Sequence, residues 1–389
     1  MIVAPSPCGP PRRAMLPEGI DGWVASRYAD VRVVLSDPRF VRDPAGVAHL
    51  RAAAGLGAVH GGRGVGRGAT LLHLDPPEHT RIRRAVNPLF AARRSEAHRS
   101  TIDALATTLV GRCAGSGRAD LVCDLAVPLA VGVLCHVAGL PYGDHGRFKA
   151  WVRAVHRTDS GSEAGLRAAE AIAAMDRYLE DRMAAGPDAG VLAELRTRAR
   201  SSSTEPDGPR LTEDEVIALG RDLLVGGYES TANLISGGLA LLLAEPARYE
   251  GLRGTLIHAA VEECLRQVAP FPQLEARYAA VAVDLGGVRI APGEAVVADV
   301  AAANRDPDRG SLAAESGHLS FGHGPHHCLG ATLARREAHA AFHAVITGLD
   351  DVRLACPPED LTWEPGLTPT LRSLPVRFTP RQICHRSES

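Results

Sequence analysis

The sequence predicts a mainly α-helical protein with a small β region. Apolar residues recur at helical spacing through most of the 389-residue chain, as they do after Leu329, where Ala334, Ala338 and Ala341 share one face. Strand-like runs are short, and the clearest of them, within residues 283–299, contain glycine and proline turns. No change in composition divides the chain. We therefore expect a single domain over the whole length, with residues 1–20 as an irregular N-terminal arm.

The individual elements follow from the same periodicities. Ten segments predict helices, at residues 28–35, 77–91, 94–114, 121–138, 142–155, 164–185, 191–200, 212–244, 255–268 and 329–347. Six runs predict strands, at residues 22–26, 280–284, 288–290, 295–299, 352–354 and 376–379. Residues 55–70, with seven glycines, and residues 201–210 are typical of loops.

Composition excludes several classes of function. The 43 basic and 45 acidic side chains leave a net charge of −2, which does not favour binding to nucleic acid. No run of 18 apolar residues predicts a membrane span. Eight scattered cysteines and the lack of a signal peptide indicate a reducing compartment. We therefore expect a cytoplasmic protein with neither a membrane nor a nucleic-acid partner.

The most informative stretch is residues 321–330, Phe-Gly-His-Gly-Pro-His-His-Cys-Leu-Gly. It presents the Cys328 thiol on a glycine-rich loop where a helix begins, and the helix dipole there favours a thiolate. The glycines let the backbone approach a flat ligand closely. The histidines beside Cys328 also suggest zinc, but no CxxC pair or second ligand pair accompanies them.

This segment resembles the haem-binding loop of cytochrome P450 enzymes, Phe-Gly-x-Gly-x-His-x-Cys-x-Gly, at all six specified positions. The resemblance implies that Cys328 is the axial ligand of the haem iron. Phe321, Gly322 and Gly330 would complete the cofactor-binding loop. It also implies the cytochrome P450 fold, a triangular prism built around a long central helix.

The predicted helix 212–244 opens with a capping box, Thr212 to Glu215. Gly226-Gly227, Glu229 and Ser230 then interrupt its apolar run, which marks either a functional site or a division into two helices. The P450 family has an acid–alcohol pair at this place. The resemblance implies that Glu229 and Ser230 relay protons, and that Gly226 leaves room for substrate and oxygen. Serine replaces the commoner threonine, so we expect somewhat more release of peroxide.

The two haem propionates require cationic partners. His79 and Arg83 lie one helical turn apart in a string, Asp-Pro-Pro-Glu-His-Thr-Arg-Ile-Arg-Arg, that resembles the family's propionate-binding helix. Arg277, in the strand region, and His326 complete the implied set. Taken singly, each of the four residues is also compatible with an exposed surface charge.

Glu263 and Arg266 form an ExxR pair, which resembles the structural ion pair of the family. The segment 308–320 is shorter than its counterpart in the family, and Arg309 is a candidate third member that the sequence leaves undecided. His339 and His343, at positions i and i+4 of the last helix, are expected to be exposed because no third metal ligand is in view.

The resemblance implies a haem b monooxygenase that uses O2 to hydroxylate or epoxidise a lipophilic small molecule in secondary metabolism. Electrons would come from NAD(P)H through a separate ferredoxin and ferredoxin reductase, or a flavodoxin. Two alternatives remain at this stage. One is a haem-thiolate enzyme that uses peroxide or performs oxidative coupling, and the other is a non-catalytic homologue that recruits a partner protein.

Overall fold

A computed structural model describes residues 7–16, 19–56, 68–156, 162–186, 189–200, 210–245, 257–310 and 317–381. Most of the two predicted loops, 55–70 and 201–210, lies outside the described residues. The first two residues of the predicted helix 255–268 and part of the short segment 308–320 also lie outside them.

Helices dominate the described residues, as predicted. They are α1 Tyr28–Ser36, α2 Pro44–Ala53, α3 Glu78–Val86, α4 Ala92–Ala97, α5 Arg99–Cys113, α6 Val127–Ala138, α7 His145–His156, α8 Ser162–Ala185, α9 Gly190–Arg200, α10 Glu213–Gly226, α11 Glu229–Leu243, α12 Ile257–Val268, α13 Val300–Ala303 and α14 Ala331–Gly348. A π-helical turn, Val122–Ala126, leads into α6. Short 3-10 turns occur at Leu71–His73, Asn87–Phe90, Tyr142–Asp144, Pro307–Arg309, Gly324–His326 and Pro358–Asp360.

The β region is larger than predicted. Its strands are β1 Arg12–Met15, β2 Asp21–Ala25, β3 Phe40–Val41, β4 Arg118–Asp120, β5 Gln273–Ala279, β6 Val283–Leu285, β7 Val288–Ile290, β8 Ala295–Asp299, β9 Asp350–Leu354, β10 Trp363–Glu364, β11 Thr370–Leu371 and β12 Pro375–Thr379. They form a five-stranded sheet in the order β1-β2-β8-β5-β3 and a three-stranded sheet in the order β4-β12-β9. β6 with β7, and β10 with β11, form two-stranded sheets.

Several predicted elements need correction. The stretch predicted to be an irregular arm contains β1, which pairs antiparallel with β2. β5 was not predicted because its sequence, Gln-Leu-Glu-Ala-Arg-Tyr-Ala, carries polar side chains. It is a strand because β8 and β3 supply hydrogen-bond partners on both sides. The predicted helix 94–114 is divided between α4 and α5 at His98.

The largest apolar core lies among the helices, and α11 runs through it against α6, α12 and α14. Gly238 sets the spacing at one crossing, since a Cβ there would lie 2.6 Å from Phe342 Cζ and 3.2 Å from Cys264 Cβ. This close approach fixes α11 relative to the helix that follows Cys328. None of the described helices is both long enough and apolar enough to cross a membrane.

Candidate active site

The loop that carries Cys328 is closed by backbone contacts. The Cys328 N–H donates to the Phe321 carbonyl at 2.9 Å, and a 3-10 turn at Gly324–His326 lies between them. Gly322 and Gly324 have φ of 74° and 73°, which favours glycine. A Cβ at Gly324 would also lie 2.9 Å from the Leu35 carbonyl oxygen. The glycines therefore allow both the turn and its packing on α1.

The pKa of the Cys328 thiol is raised, whereas the sequence predicted surroundings that favour the thiolate. The Cys328 side chain is accessible to solvent, but surrounding protein desolvates the sulfur and raises the pKa of the thiol. A backbone hydrogen bond from Gly330 and the charges of Arg83 and Arg335 oppose this shift without cancelling it. α14 begins only at Ala331, three residues later. The helix terminus alone therefore does not favour the thiolate, which would need a cation at the sulfur itself.

Four predicted cofactor residues converge on one region. The His79 and His326 rings lie 4.1 Å apart, and Arg83 donates to the His327 carbonyl at 3.0 Å. Burial first, and then the charge of Arg83, lowers the pKa of His79 to about 4. Burial and Arg42 lower the pKa of Arg277 to about 9. His79 and His326 both feel the positive charges of Arg42, Arg83 and Arg277, so the cluster attracts an anion.

Sequence reasoning missed Arg42. It lowers the pKa of His326 as well as that of Arg277, so it faces the same cluster. Its guanidinium contacts Glu275 at 2.6 Å, and its backbone N–H donates to Asp75 at 2.8 Å. No motif surrounds Arg42 in the sequence. Only the pairing of β3 with β5 brings it close to Arg277.

Two buried nitrogen atoms in this cluster support an anionic ligand. His79 Nε2 and Arg42 Nε have no hydrogen-bond partner among the described residues. A buried donor without a partner costs roughly 1–3 kcal/mol, so each such group requires an explanation, and a bound anion is one. An anionic ligand bound in this cluster would supply the acceptors that these atoms lack.

The predicted central helix 212–244 is interrupted, which corrects the expectation of one regular helix. The capping box is confirmed: Glu215 N donates to Thr212 Oγ1 at 3.1 Å, and Thr212 N donates to Glu215 Oε2 at 2.8 Å. α10 ends at Gly226, and α11 begins at Glu229. A Cβ at Gly227 would lie 2.3 Å from the Leu223 carbonyl oxygen. The glycine pair thus does divide two helices, as the structural alternative held.

The interruption also opens a surface. A Cβ at Gly226 would meet no atom within 4 Å. The Ser230 hydroxyl donates to the Gly226 carbonyl at 3.2 Å, so the alcohol is held beside this open face. The glycine pair can therefore both divide the helix and leave room for a functional site, so the two alternatives raised by the sequence do not exclude each other.

Glu229 lies in a network that the sequence did not reveal. His156 Nδ1 is 2.6 Å from Glu229 Oε2, and Thr370 Oγ1 donates to Oε1 at 3.2 Å. Burial alone would raise the pKa of the Glu229 carboxyl. The hydrogen bond and charge of His156, together with Thr370, outweigh burial and hold that pKa below its usual value. Glu229 is therefore a carboxylate near neutral pH.

The ExxR pair forms the expected contact, with Arg266 Nε donating to Glu263 Oε2 at 2.7 Å. Arg266 Nη1 also donates to the Asn304 carbonyl at 3.1 Å. Arg309 lies in the 3-10 turn Pro307–Arg309, and no contact joins it to the pair within the described chain. Asn304 instead connects the pair to the cysteine loop.

The remaining histidines do not assemble a metal centre. Among the described residues, no group of three or more His, Cys, Asp or Glu side chains is arranged to hold a metal ion. This applies to the histidines around Cys328 and to those of α14. His343 is exposed as predicted, whereas His339 is half-buried beside His258, with ring centroids 4.3 Å apart.

Comparison with known proteins gives a consistent result, although no family model matches the chain. The cytochrome P450 monooxygenase PikC of Streptomyces venezuelae is 34% identical over 382 residues, which cover 95% of this chain and 88% of PikC. The mycinamicin IV hydroxylase/epoxidase of Micromonospora griseorubida is 38% identical, with 92% and 89% covered. The structure of myxobacterial cytochrome P450 CYP267B1 with myristic acid matches with a TM-score of 0.82 at 31% identity, covering 96% and 94%.

Proposed function

Because this chain belongs to the cytochrome P450 family of monooxygenases, we propose that it oxidises a lipophilic small molecule in natural-product biosynthesis, by hydroxylation or epoxidation. Mycinamicin IV hydroxylase/epoxidase carries both reactions in its name, and PikC is a monooxygenase. The observation that supports the proposal most strongly is the position of the Cys328 thiol, close to Arg83 and the cationic cluster.

The side chains fit haem b. Cys328 would ligate the iron through sulfur, while Arg277, His79, His326 and Arg83, with Arg42 added, would bind the two propionates. The buried donors His79 Nε2 and Arg42 Nε would then gain acceptors. When bound, haem supplies the iron at which oxygen is activated, with electron density from the thiolate.

The chain's own groups would handle substrate and protons. Gly226 leaves open space beside the backbone. Ser230 presents a hydroxyl whose proton is held by the Gly226 carbonyl, and Glu229 provides a carboxylate one residue before it. A carboxylate and a hydroxyl at adjacent positions can accept and pass on protons in turn.

Electrons are proposed to reach the protein from NAD(P)H through a ferredoxin and its reductase, or through a flavodoxin. We place this system in the reducing cytosol, because the described cysteines are all free thiols. The substrate would be a lipophilic natural product, consistent with the relatives' names and with the open face at Gly226.

The absorption spectrum of the reduced, CO-treated protein tests the proposed centre. Thiolate ligation places the Soret band well to the red of histidine-ligated haem, and we expect that band in the wild type and its loss in Cys328→Ala. An unchanged spectrum in Cys328→Ala would refute the assignment. Product formation with NADPH and redox partners, compared with peroxide alone, separates a monooxygenase from the peroxide-using alternative that Ser230 leaves open.

A further inference from the structure

His156 is the last residue of α7, and it joins this helix to the interrupted centre of α10 and α11. Its Nδ1 lies 2.6 Å from Glu229 Oε2. The His156 and Glu229 side chains are only 7% and 16% exposed, so solvent screens this contact weakly. A hydrogen bond to an ionised group in such surroundings is stronger than a neutral one.

The backbone of His156 is held from a second direction. Its carbonyl accepts a hydrogen bond from Leu367 N at 3.4 Å. Thr370, three residues further on in β11, donates to the other Glu229 oxygen at 3.2 Å and accepts from Asn233 at 3.3 Å. The imidazole and the carboxylate are thus fixed by three separate elements, α7, α11 and β11.

Of the ionisable groups near Glu229, His156 is the one that contacts its carboxylate and can supply a proton to it. Arg153, one turn earlier on α7, is largely exposed and pairs with Glu364 at 2.8 Å instead. Tyr228 is buried, and burial and the charge of Glu229 raise the pKa of its phenol, so it stays protonated. The hydroxyls of Thr368 and Thr370 also lie beside Glu229, but a hydroxyl cannot carry a positive charge at neutral pH.

We infer that His156 is a positioning residue for proton delivery, which orients the Glu229 carboxylate and resupplies it with protons. The inference rests on the proposed function. In this step a proton leaves Nδ1 for Glu229 Oε2, which gives a neutral imidazole and a neutral carboxylic acid. The imidazole keeps its Nε2 proton, and once Glu229 is a carboxylate again, a proton from water returns to Nδ1 and restores the imidazolium. Glu229 can pass its proton towards Ser230 and become a carboxylate again.

The test uses the haem-loaded protein without substrate, reduced by NADPH through a plant-type ferredoxin and its reductase. Oxygen is then reduced either to peroxide, which consumes one NADPH per O2, or to water, which consumes two NADPH per O2. Formation of water also requires the delivery of further protons. His156→Phe keeps a ring of similar size but removes the donor. We expect the peroxide fraction to rise severalfold and the solvent deuterium isotope effect on oxygen reduction to increase.

Two further variants separate proton supply from a structural effect. Asn places an N–H donor close to the position of Nδ1, so His156→Asn should recover part of the water-forming reaction. Arg153→Gln changes a charge on the same helix without touching Glu229 and should leave the product ratio unchanged. An equal peroxide fraction in wild type and His156→Phe would overturn the inference. A wild type that releases only peroxide would overturn it too.

Each variant is first examined in the reduced, CO-treated state. A thiolate-type spectrum in all of them, with no change in the peroxide fraction, rejects the role of His156 and leaves the proposed function standing. If the reduced, CO-treated wild type shows no thiolate-type spectrum, the proposed function is rejected.

Discussion

Asn304 Oδ1 accepts a hydrogen bond from the Leu319 N–H at 2.7 Å, and this contact joins α13 to the cysteine loop. Asn304 Nδ2 donates to Ser320 Oγ at 2.9 Å, while its carbonyl accepts from Arg266. Asn304 is fully buried. Asn304 therefore links the two parts: its side chain holds the loop that presents Cys328, and its backbone carbonyl accepts from Arg266 of the Glu263–Arg266 pair.

Replacing this amide should loosen the loop. In Asn304→Ala, the Leu319 N–H loses its acceptor and Ser320 Oγ loses the donor Asn304 Nδ2, while the Ser320 hydroxyl still donates to the Leu265 carbonyl. The free energy of unfolding should fall by roughly 2–4 kcal/mol. Urea denaturation measures the loss, and the rate of haem release measures loosening of the loop. Asn304→Asp keeps the acceptor for Leu319, but at this fully buried position it places a negative charge where Asn304 Nδ2 donated to the Arg266 carbonyl, so it should be at least as severe. Equal stability of Asn304→Ala and wild type would contradict the connection.

The adjacent glycines Gly226 and Gly227 should respond in opposite ways to alanine. At Gly227 the methyl group would meet the Leu223 carbonyl oxygen at 2.3 Å and Leu134 at 2.7 Å, and we expect a loss of roughly 1–3 kcal/mol. At Gly226 it would enter open space, and the higher helix propensity of alanine should add up to about 1 kcal/mol. Thermal unfolding of the two variants provides a matched comparison. Equal effects would argue against the asymmetric environment.

Asp222 should make stability depend on pH. It accepts from the Leu71 N–H at 2.8 Å, but burial dominates and raises the pKa of its carboxyl from 3.8 to about 6. Below about pH 4 this carboxyl is protonated in both states. Between pH 4 and 6 the unfolded chain releases the proton while the folded chain keeps it, so this group lowers stability as pH rises.

Asp222→Asn keeps an acceptor for Leu71 and removes this ionisation. The variant should be more stable than wild type by roughly 1–3 kcal/mol at pH 7, with the difference vanishing near pH 4. Urea denaturation at several pH values gives the profile. A difference that is constant from pH 4 to 7 would show that ionisation of Asp222 is not its cause.

Arg277 should oppose folding of the haem-free protein and favour haem binding. It is 5% exposed beside Arg42, and a buried cation near another cation is costly. Arg277→Met should stabilise the haem-free protein by about 1 kcal/mol and weaken haem retention about tenfold. Calorimetry of the haem-free form and haem transfer to an acceptor protein measure the two effects. If Arg277→Met lowered both the stability of the haem-free protein and its haem retention, Arg277 would not be a cation that opposes folding in the absence of haem.

The sequence by itself determined the features that depend on local chemistry. The capping box at the start of α10 could be predicted from Thr212 and Glu215 because its two side chains are only three residues apart. The glycines around Cys328 and the ExxR pair were also visible in the chain, as was the family to which it belongs. Periodicity located most helices for the same reason, since a helical face repeats within a few residues.

The tertiary structure decided the contacts between residues far apart in the chain. His156 and Glu229 are 73 positions apart, and Arg42 and Glu275 are 233 apart, so no local pattern connects them. Burial, which raises the pKa of Cys328 and Asp222, is likewise a property of the packed chain. The sequence supplied the reactive groups, and packing determined which groups face each other and how each is charged.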